Sequence, residues 1–278
     1  MRIGIDVGGT NTDAVIMDGS RVIASVKRPT SDDITVDVKQ ALTALQEKRS
    51  FDPSTIAAVM IGTTHFINAL IEAKRLTPTA ALRLGLPATS ALPPEVDWPP
   101  HLVNAIGSHV YLAHGGHEYD GRVISDLDEA ELKNIADQMG ASGVRSVAIS
   151  SVFSPVNNEF EQRAAEIITD YLGDEVAVSL SHEIGRIGLL ERENATIINA
   201  ALRELAASVT QGIVKTIAGY GITAPLFLSQ NDGTLMDLDF ARRYPVATFA
   251  SGPTNSMRGA GVGTSPTSYS VRPSDNCS

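Results

Sequence analysis

Two adjacent glycines near the start of the chain stand between a carboxylate and a run of hydroxyl groups. The segment "GIDVGGTNTD" at 4–13 has Asp6 before the glycines and Thr10 and Thr12 after them. Backbone amides of a glycine turn can hold an anion together with hydroxyl groups, and a carboxylate at a strand end can orient the water shell of a magnesium ion. The segment therefore predicts a phosphate cradle. A plain hairpin turn with solvated polar flanks is the alternative.

The residues on either side of the glycines predict the hairpin that would present this cradle. Apolar residues alternate at 3–7, and the run at 14–17 is apolar and β-branched enough for a second strand. Gly8 and Gly9 then occupy the turn, where glycine tolerates a positive φ.

Two further segments carry polar side chains at places typical of ligand contacts. "GTTHFINAL" at 62–70 follows an apolar strand and opens a helix, where free amides and hydroxyl groups meet. "SQNDG" at 229–233 also follows an apolar strand, although a plain Asx turn explains it nearly as well. The predicted substrate-side residues are Thr63, Thr64, Asn68, Asn231 and Asp232.

Two other groups of polar residues have simpler explanations. His109, His114 and His117 invite a zinc interpretation, but no cysteine accompanies them and their spacing matches no usual zinc pattern. Polar strand and turn residues explain them better. The "ERE" run at 191–193 could reach a cleft, yet charged residues at a helix start usually form a solvated face or interact with the helix dipole.

The composition is that of a globular protein without a disulfide framework. The 278 residues include 22 basic and 32 acidic residues, and the net charge of −10 argues against a nucleic-acid or anionic-membrane surface. The single cysteine, Cys277, has no partner within the chain. With no signal peptide and no apolar run of membrane-spanning length, the sequence predicts a cytoplasmic protein.

Periodicity predicts the remaining elements. We expect strands from Arg21 to Lys27, at 146–153, at 175–181 and from Val246 onward, and a hairpin at 109–125 with its turn at Asp120-Gly121. The expected helices run from Ile34 to about Lys48, from a cap at Asp128 to Gly140, over 158–172, and from Leu189 to 219–221. An irregular loop is expected at 84–100. The tail at 261–278 is rich in Ser, Thr, Pro and Gly and is expected to be disordered.

Five segments in a fixed order resemble one family. "GIDVGGTNTD", "GTTHFINAL", "GLLERENATIINAAL", "SQNDGTLM" and "ASGPTNSMRGA" are similar to segments of the ATP-dependent hydantoinase and 5-oxoprolinase family, specifically its hydantoinase A-type subunit or domain. The resemblance covers residues 2 to about 260. It implies an α/β fold of the actin-like ATPase class: a ribonuclease-H-like first lobe with inserted segments, an incomplete second lobe, and ATP in the cleft between the lobes.

The same resemblance implies roles for individual residues. Residues 6–13 would be the first phosphate loop, with ATP and Mg²⁺ as cofactors and Asp6 holding the metal through water. The catalytic candidates are Asp6 and Asp13, and the cofactor-binding candidates are Gly8, Gly9, Thr10, Asn11 and Thr12. A hydantoinase B-type subunit or domain is the expected partner.

The chain also departs from the family pattern. A second phosphate loop and an adenosine-binding segment would follow Ala260 but are absent, so the chain resembles a family member cut short. The expected organisation is an N-terminal domain at 1–185, the start of a core domain at 186–260 and the tail at 261–278. On this interpretation the long helix leaves its Ile198–Val209 side uncovered or pairs it with another copy, and nucleotide binding is weak.

The function expected from these features is ATP-dependent opening of a cyclic amide such as hydantoin, 5-oxoproline or a related lactam. Phosphorylation of the amide oxygen would convert a resonance-stabilised amide into an electrophile, with loop amides and Mg²⁺ neutralising charge. The first alternative is a sugar-kinase-like phosphotransferase, which "GIDVGGTNT" alone would suit equally well. The second is a non-catalytic subunit or fragment.

Overall fold

The computed structural model describes residues 1–255 and residue 257, in which two β-sheets are joined by a long helix. The predictions for the tail at 261–278 concern residues outside the described ones. The first sheet has six strands in the order β10-β9-β4-β1-β2-β3. Its strands are β1 (Arg2–Val7), β2 (Asn11–Asp18), β3 (Arg21–Pro29), β4 (Ala58–Thr63), β9 (Leu226–Ser229) and β10 (Leu235–Asp237).

The opening hairpin is confirmed. β1 pairs antiparallel with β2, and β2 with β3, so that Asp6 lies opposite Asp13 and Asp13 opposite Lys27. β4 and β9 then continue the sheet as strands parallel to β1. The alternating sequence of β1 determines which of its side chains face the core. Ile3, Ile5 and Val7 are buried, whereas the residues between them are more exposed.

The second sheet is entirely parallel, with four strands in the order β6-β5-β7-β8. Its strands are β5 (Thr79–Leu86), β6 (His109–His114), β7 (Ser146–Ser151) and β8 (Ala177–Leu180). Two expectations fail here. The predicted loop at 84–100 begins too early, because Leu84 is a buried residue of β5. The predicted hairpin at 109–125 is wrong, because β6 pairs parallel with β5 and the Asp120-Gly121 turn supports only a single bridge between His117 and Val123.

Helices cover both sheets. They are α1 (Ile34–Lys48), α2 (His65–Ile71), α3 (Pro100–Ile106), α4 (Glu129–Ser142), α5 (Glu159–Leu172), α6 (Ser181–Ile184), α7 (Leu189–Gly219) and α8 (Leu238–Arg243), with short 3₁₀ turns at Pro53–Thr55 and Pro245–Thr248. The predicted helices α1, α4, α5 and α7 are confirmed. None of the helices in the described part of the chain is both long and apolar enough to span a bilayer.

Two element boundaries differ from the prediction. Asp128 caps α4 as expected, accepting hydrogen bonds from the amides of Ala130 and Glu131, but the helix continues past Gly140. It ends at Ser142, and the C-cap residue Gly143 has a φ of 73°, the left-handed conformation typical of a glycine at a helix end. The segment from Val246 forms a 3₁₀ turn that begins at Pro245, rather than a strand.

The apolar side of α7 is covered by the chain itself, which contradicts the predicted exposed side. Leu202, Leu205 and Val209 are buried in the core beneath the six-stranded sheet, and Ile198 is partly buried against it. The N-terminal part of α7 packs against the second sheet. The helix therefore joins the two cores, and β9 and β10 follow it to complete the sheet that β1–β4 begin.

Candidate functional site

The carboxyl ends of three parallel strands meet at one edge of the six-stranded sheet. β1 ends at Val7, β4 at Thr63 and β9 at Ser229. Ligands of open α/β sheets bind outside the carboxyl ends of the strands. The three segments that follow these ends are the glycine loop at 8–10, the helix start at 64–68 and the "QNDG" turn at 230–233, so the predicted site segments share this edge.

Asp6 lies over a glycine of the neighbouring strand. It is level with Gly62 of β4 and with Asp13 of β2, whose carboxylate pairs with the Lys27 ammonium at 3.4 Å. A Cβ on Gly62 would lie only 2.6 Å from Asp6 Oδ1 and 3.2 Å from Asn255 Nδ2. The absence of a side chain at Gly62 therefore allows Asp6 and Asn255 to approach each other above the sheet.

The electrostatic environment of Asp6 is unfavourable for its own charge. Part of the side chain contacts solvent, yet desolvation by the surrounding protein raises its pKa, and the negative charge of Asp13 raises it further. A bound cation would relieve this repulsion between the two carboxylates.

The glycine loop presents amides to the open edge. The Gly8 amide closes the turn by donating to the Asn11 carbonyl at 3.1 Å, whereas the amides of Gly9 and Thr10 donate to no acceptor within residues 1–255. A Cβ on Gly9 would meet nothing within 4 Å. Neither glycine has a positive φ, so the predicted reason for these glycines is wrong. Their small size leaves the approach to the loop open.

Thr12 does not contribute to this surface. Its side chain is fully buried on the same face as Val7, and its hydroxyl hydrogen-bonds the Thr30 hydroxyl at 2.9 Å. A strand alternates its faces, so Asp13 points to the side of Asp6 and Thr12 to the other. Thr12 therefore ties the glycine loop to Thr30, just after β3, instead of facing a ligand.

The predicted residues at the start of α2 lie beside the glycine loop. The Thr63 hydroxyl is buried and accepts from the His65 amide at 3.0 Å, so it stabilises the helix start. The Thr64 amide donates to the Val7 carbonyl at 3.1 Å, and Asn68 Nδ2 donates to Thr64 Oγ1 at 3.3 Å. A cavity of about 340 Å³ opens here, with Gly8, Gly9, Thr64, His65 and Asn68 among its lining residues.

The "QNDG" turn is held against the segment that carries Asn255. The Asn231 amide donates to the Ala247 carbonyl at 2.8 Å, and the Thr254 hydroxyl donates to the Asn231 carbonyl at 2.8 Å. Asp232 Oδ1 accepts from the amide and the hydroxyl of Thr234, the geometry of an Asx turn. The turn thus positions the segment above Gly62.

The "ERE" run is not a solvated face. Glu191 is exposed, but Arg192 and Glu193 are almost completely buried. Arg192 Nη2 donates to the Ser151 carbonyl at 2.6 Å, and Glu193 Oε2 accepts from Arg83 Nε at 2.7 Å. These two side chains join α7 to the second sheet, so the structure gives them an architectural role away from the strand-end site.

His114 and His117 make separate contacts. His114 Nδ1 lies 3.1 Å from a carboxylate oxygen of Glu131, and buried His117 packs against the Phe160 ring with centroids 4.4 Å apart. No cluster of three metal-ligating side chains occurs within the described ranges.

Two residues of the site were not among the predicted ones. Asn255 belongs to the "SGPTNS" segment that carried the family resemblance, but the sequence does not show that this segment returns to Asp6. Asp37 fits the polar side of α1 by its spacing, yet its side chain is buried beside the cavity. Only the three-dimensional arrangement identifies both.

Comparison with known proteins identifies the family. A family model described as the hydantoinase/oxoprolinase N-terminal region matches residues 2–172, and a second, described as hydantoinase/oxoprolinase, matches residues 192–269. The chain belongs to the hydantoinase/oxoprolinase family. Among its relatives, the alpha subunit of a caprolactamase from Pseudomonas jessenii is 29% identical and aligns with 91% of this chain. An uncharacterized protein from Methanocaldococcus jannaschii is 30% identical over the same share.

Two solved structures show the same fold. The crystal structure of the ATP-dependent caprolactamase from Pseudomonas jessenii superimposes on 94% of this chain with a TM-score of 0.77 and 26% identity. A nucleotide-free acetone carboxylase superimposes with a TM-score of 0.76 at 16% identity and shows the fold alone. The expected actin-like ATPase fold is confirmed. The chain spans 38% of the length of the two sequence relatives and 40% of each of these structures.

Proposed function

We propose that this chain binds ATP at the strand-end site and contributes to the ATP-dependent opening of a cyclic amide. The observation that carries the proposal is the convergence of Asp6, Gly62 and Asn255 beside the open amides of Gly9 and Thr10. The alignment with an ATP-dependent caprolactamase over nearly the whole chain supports the reaction class.

The residues at this edge fit a magnesium–nucleotide phosphate. The amides of Gly9 and Thr10 would hold phosphate oxygens, and the open space at Gly9 allows a phosphate to approach the backbone. Asp6 would hold Mg²⁺ through its water shell, and Asp13 would add negative charge beside it. The side chains of Thr10 and Asn11 are the remaining candidates for phosphate contacts, whereas Thr12 fixes the loop through Thr30.

Bound ATP would supply a phosphoryl group to the amide oxygen, which would make the amide carbon more electrophilic and so favour the cleavage of the ring C–N bond by water. The contribution of the chain is then positioning and charge neutralisation, which dominate catalysis of phosphoryl transfer. Thr64 and Asn68 line the cavity next to the glycine loop and are the proposed substrate-side residues. Asn231 and Asp232 are proposed to act by holding the 247–254 segment in place.

We also propose that the chain acts together with a hydantoinase B-type subunit or domain, since the caprolactamase relative is named as an alpha subunit. The proposed organisation remains an N-terminal domain at 1–185 followed by core-domain residues from 186 onward. Along the chain the second sheet lies between α2 and α7, and β9 and β10, which follow α7, complete the first sheet.

ADP release measured with a panel of substrates tests the proposal. Hydantoin, 5-oxoproline and caprolactam are compared with glucose, with and without a hydantoinase B-type subunit added to the chain. We expect ADP release to depend on a cyclic amide and to be lost in Asp6→Asn. The matched control, Asp18→Asn, changes an exposed carboxylate at the far end of β2 and should retain the activity. ADP release that depends on glucose would instead support the sugar-kinase alternative, and no release with any amide would contradict the proposal.

A further inference from the structure

A polar cavity lies against the glycine loop and is built from three separate parts of the first lobe. Gly8 and Gly9 form one wall, the 30–37 region forms a second, and the start of α2 forms a third. Its volume of about 340 Å³ lies within the range of about 300–1,000 Å³ that is usual for small-molecule sites.

The cavity contains a buried acceptor without a donor. Asp37 is only 1% exposed, and its Oδ1 accepts from the amide and the hydroxyl of Ser31, each at 2.9 Å. Its Oδ2 is also buried and has no hydrogen-bond partner within the described residues. A buried carboxylate oxygen without a donor is costly, and a ligand N–H or O–H would remove that cost.

Glu72, Lys74 and Arg75, which follow α2, also line the cavity. Lys74 pairs with the Glu72 carboxylate at 3.0 Å, and two non-glycine residues in this short turn, Ala73 and Arg75, have φ values of 50° and 61°. Such left-handed conformations are unfavourable for side-chain-bearing residues and persist where the surrounding structure imposes them.

His65 adds a defined donor to the same cavity. Arg75 Nη1 lies 3.1 Å from His65 Nε2, and a guanidinium only donates, so Nε2 accepts and Nδ1 carries the ring proton. Burial and then the charge of Arg75 lower the pKa of His65, which keeps the ring neutral at neutral pH. The cavity thus contains a carboxylate acceptor together with donors of Arg75 and His65.

We propose that this cavity binds the cyclic amide, with the ring N–H donating to Asp37 Oδ2 and the carbonyl group facing the donors of Arg75 and His65. A cyclic amide carries a donor and an acceptor on adjacent atoms, which matches this arrangement. The ring would lie next to the glycine loop, so the proposal rests on the proposed function and assigns its substrate position.

Ligand-observed NMR titration of the full chain with 2-pyrrolidinone and with N-methyl-2-pyrrolidinone, in the absence of nucleotide, tests the proposal. The methyl group removes the N–H donor and leaves the carbonyl. We expect wild type to prefer 2-pyrrolidinone by about tenfold, the scale of one hydrogen bond to a charged group. Asp37→Asn keeps the size of the side chain and should abolish the preference. Asp32→Asn removes an exposed charge from the same cavity and should retain it.

Equal affinity of wild type for the two probes would overturn the proposal without needing any variant. A preference that survives Asp37→Asn would also overturn it. Titration of the same samples with Mg²⁺–ATP separates this outcome from the proposed function. Nucleotide binding without a probe preference rejects only the cavity assignment, and a probe preference without nucleotide binding rejects only the ATP site.

Discussion

Asp6 and Gly62 lie at the same level in neighbouring parallel strands, and the Asp6 carboxylate occupies the space that a side chain on Gly62 would fill, with Oδ1 2.6 Å from the ideal Cβ position. We predict that Gly62→Ala displaces this carboxylate, because its free end moves more easily than the strand. Mg²⁺-dependent nucleotide binding should weaken about tenfold or more, on the scale of one lost charge-assisted contact. The melting temperature should change little. Unchanged nucleotide binding in a folded variant would show that the position of Asp6 does not matter.

Repulsion between the carboxylates of Asp6 and Asp13 should lower the free energy of unfolding. Like charges directly opposite in a sheet are destabilising, and the folded state raises the pKa of Asp6. This destabilisation therefore develops as the pH rises through the folded-state pKa of Asp6, where the Asp6 carboxylate becomes charged. We predict that Asp6→Asn raises the free energy of unfolding by up to about 1 kcal/mol at pH near 7, with a smaller gain in acid. Urea denaturation at two pH values measures it, and a loss of stability at neutral pH would contradict this account.

Glu95 should make stability depend on pH. It is buried, neither carboxylate oxygen has a hydrogen-bond partner among residues 1–255, and burial followed by the charge of Glu193 raises its pKa to about 7. The folded state holds the Glu95 proton more tightly than the unfolded state does, so protonation of Glu95 stabilises the fold. This contribution to the free energy of unfolding is complete below the unfolded pKa of about 4.5 and is lost as the pH rises through about 7.

We therefore predict that the melting temperature of wild type falls between about pH 5 and pH 8, and that Glu95→Gln reduces the slope. Glu118→Gln, at an exposed position, serves as the control and should keep the wild-type slope. Equal slopes for wild type and Glu95→Gln would exclude Glu95 as the source.

The buried ion pair between Arg83 and Glu193 should be sensitive to the loss of either partner. Arg83 donates to both carboxylate oxygens of Glu193, and the Ser150 hydroxyl donates to Oε2 at 2.6 Å. Glu193→Ala would leave a buried guanidinium unpaired, and we predict a loss of about 3–5 kcal/mol in unfolding free energy. The double variant Arg83→Met/Glu193→Leu should recover much of it. Denaturant titration of the single and the double variant measures both free energies of unfolding. A loss of less than about 1 kcal/mol in Glu193→Ala would mean that water reaches the ion pair.

Most of the elements that were predicted from the sequence have one face toward a core. The alternation of apolar residues at 3–7 and their helical spacing in α1 and α7 indicate which face is buried. β5 was not found: both of its faces are buried, so its sequence shows no alternation. β7 is also buried on both faces, but its apolar run at 146–153 was interpreted as a strand. β6 was interpreted as half of a hairpin because its real partner, β5, lies more than twenty residues earlier in the chain.

The composition of the site was predictable in part. Asp6 and the glycine loop were found because a carboxylate, small residues and hydroxyl groups in this order indicate phosphate chemistry. The direction of Thr12 was not anticipated, although the strand alternation implies it. The burial of Glu193 depends on Arg83, and the approach of Asn255 depends on a chain reversal after β9. Such long-range partners leave no local pattern.

The most direct test of the phosphate site is nucleotide titration of a Gly9→Val variant. A Cβ at Gly9 would meet nothing within 4 Å, and the position needs no positive φ, so the variant should fold normally while its side chain occupies the proposed path of the phosphate. Gly219→Val, at the end of α7, has equally open surroundings and is the matched control. Ligand-observed NMR with Mg²⁺–ATP should show saturable binding to wild type and Gly219→Val, and binding weakened at least tenfold in Gly9→Val at an unchanged melting temperature. Equal ATP affinity in all three proteins would contradict the assignment of the glycine loop as the phosphate site.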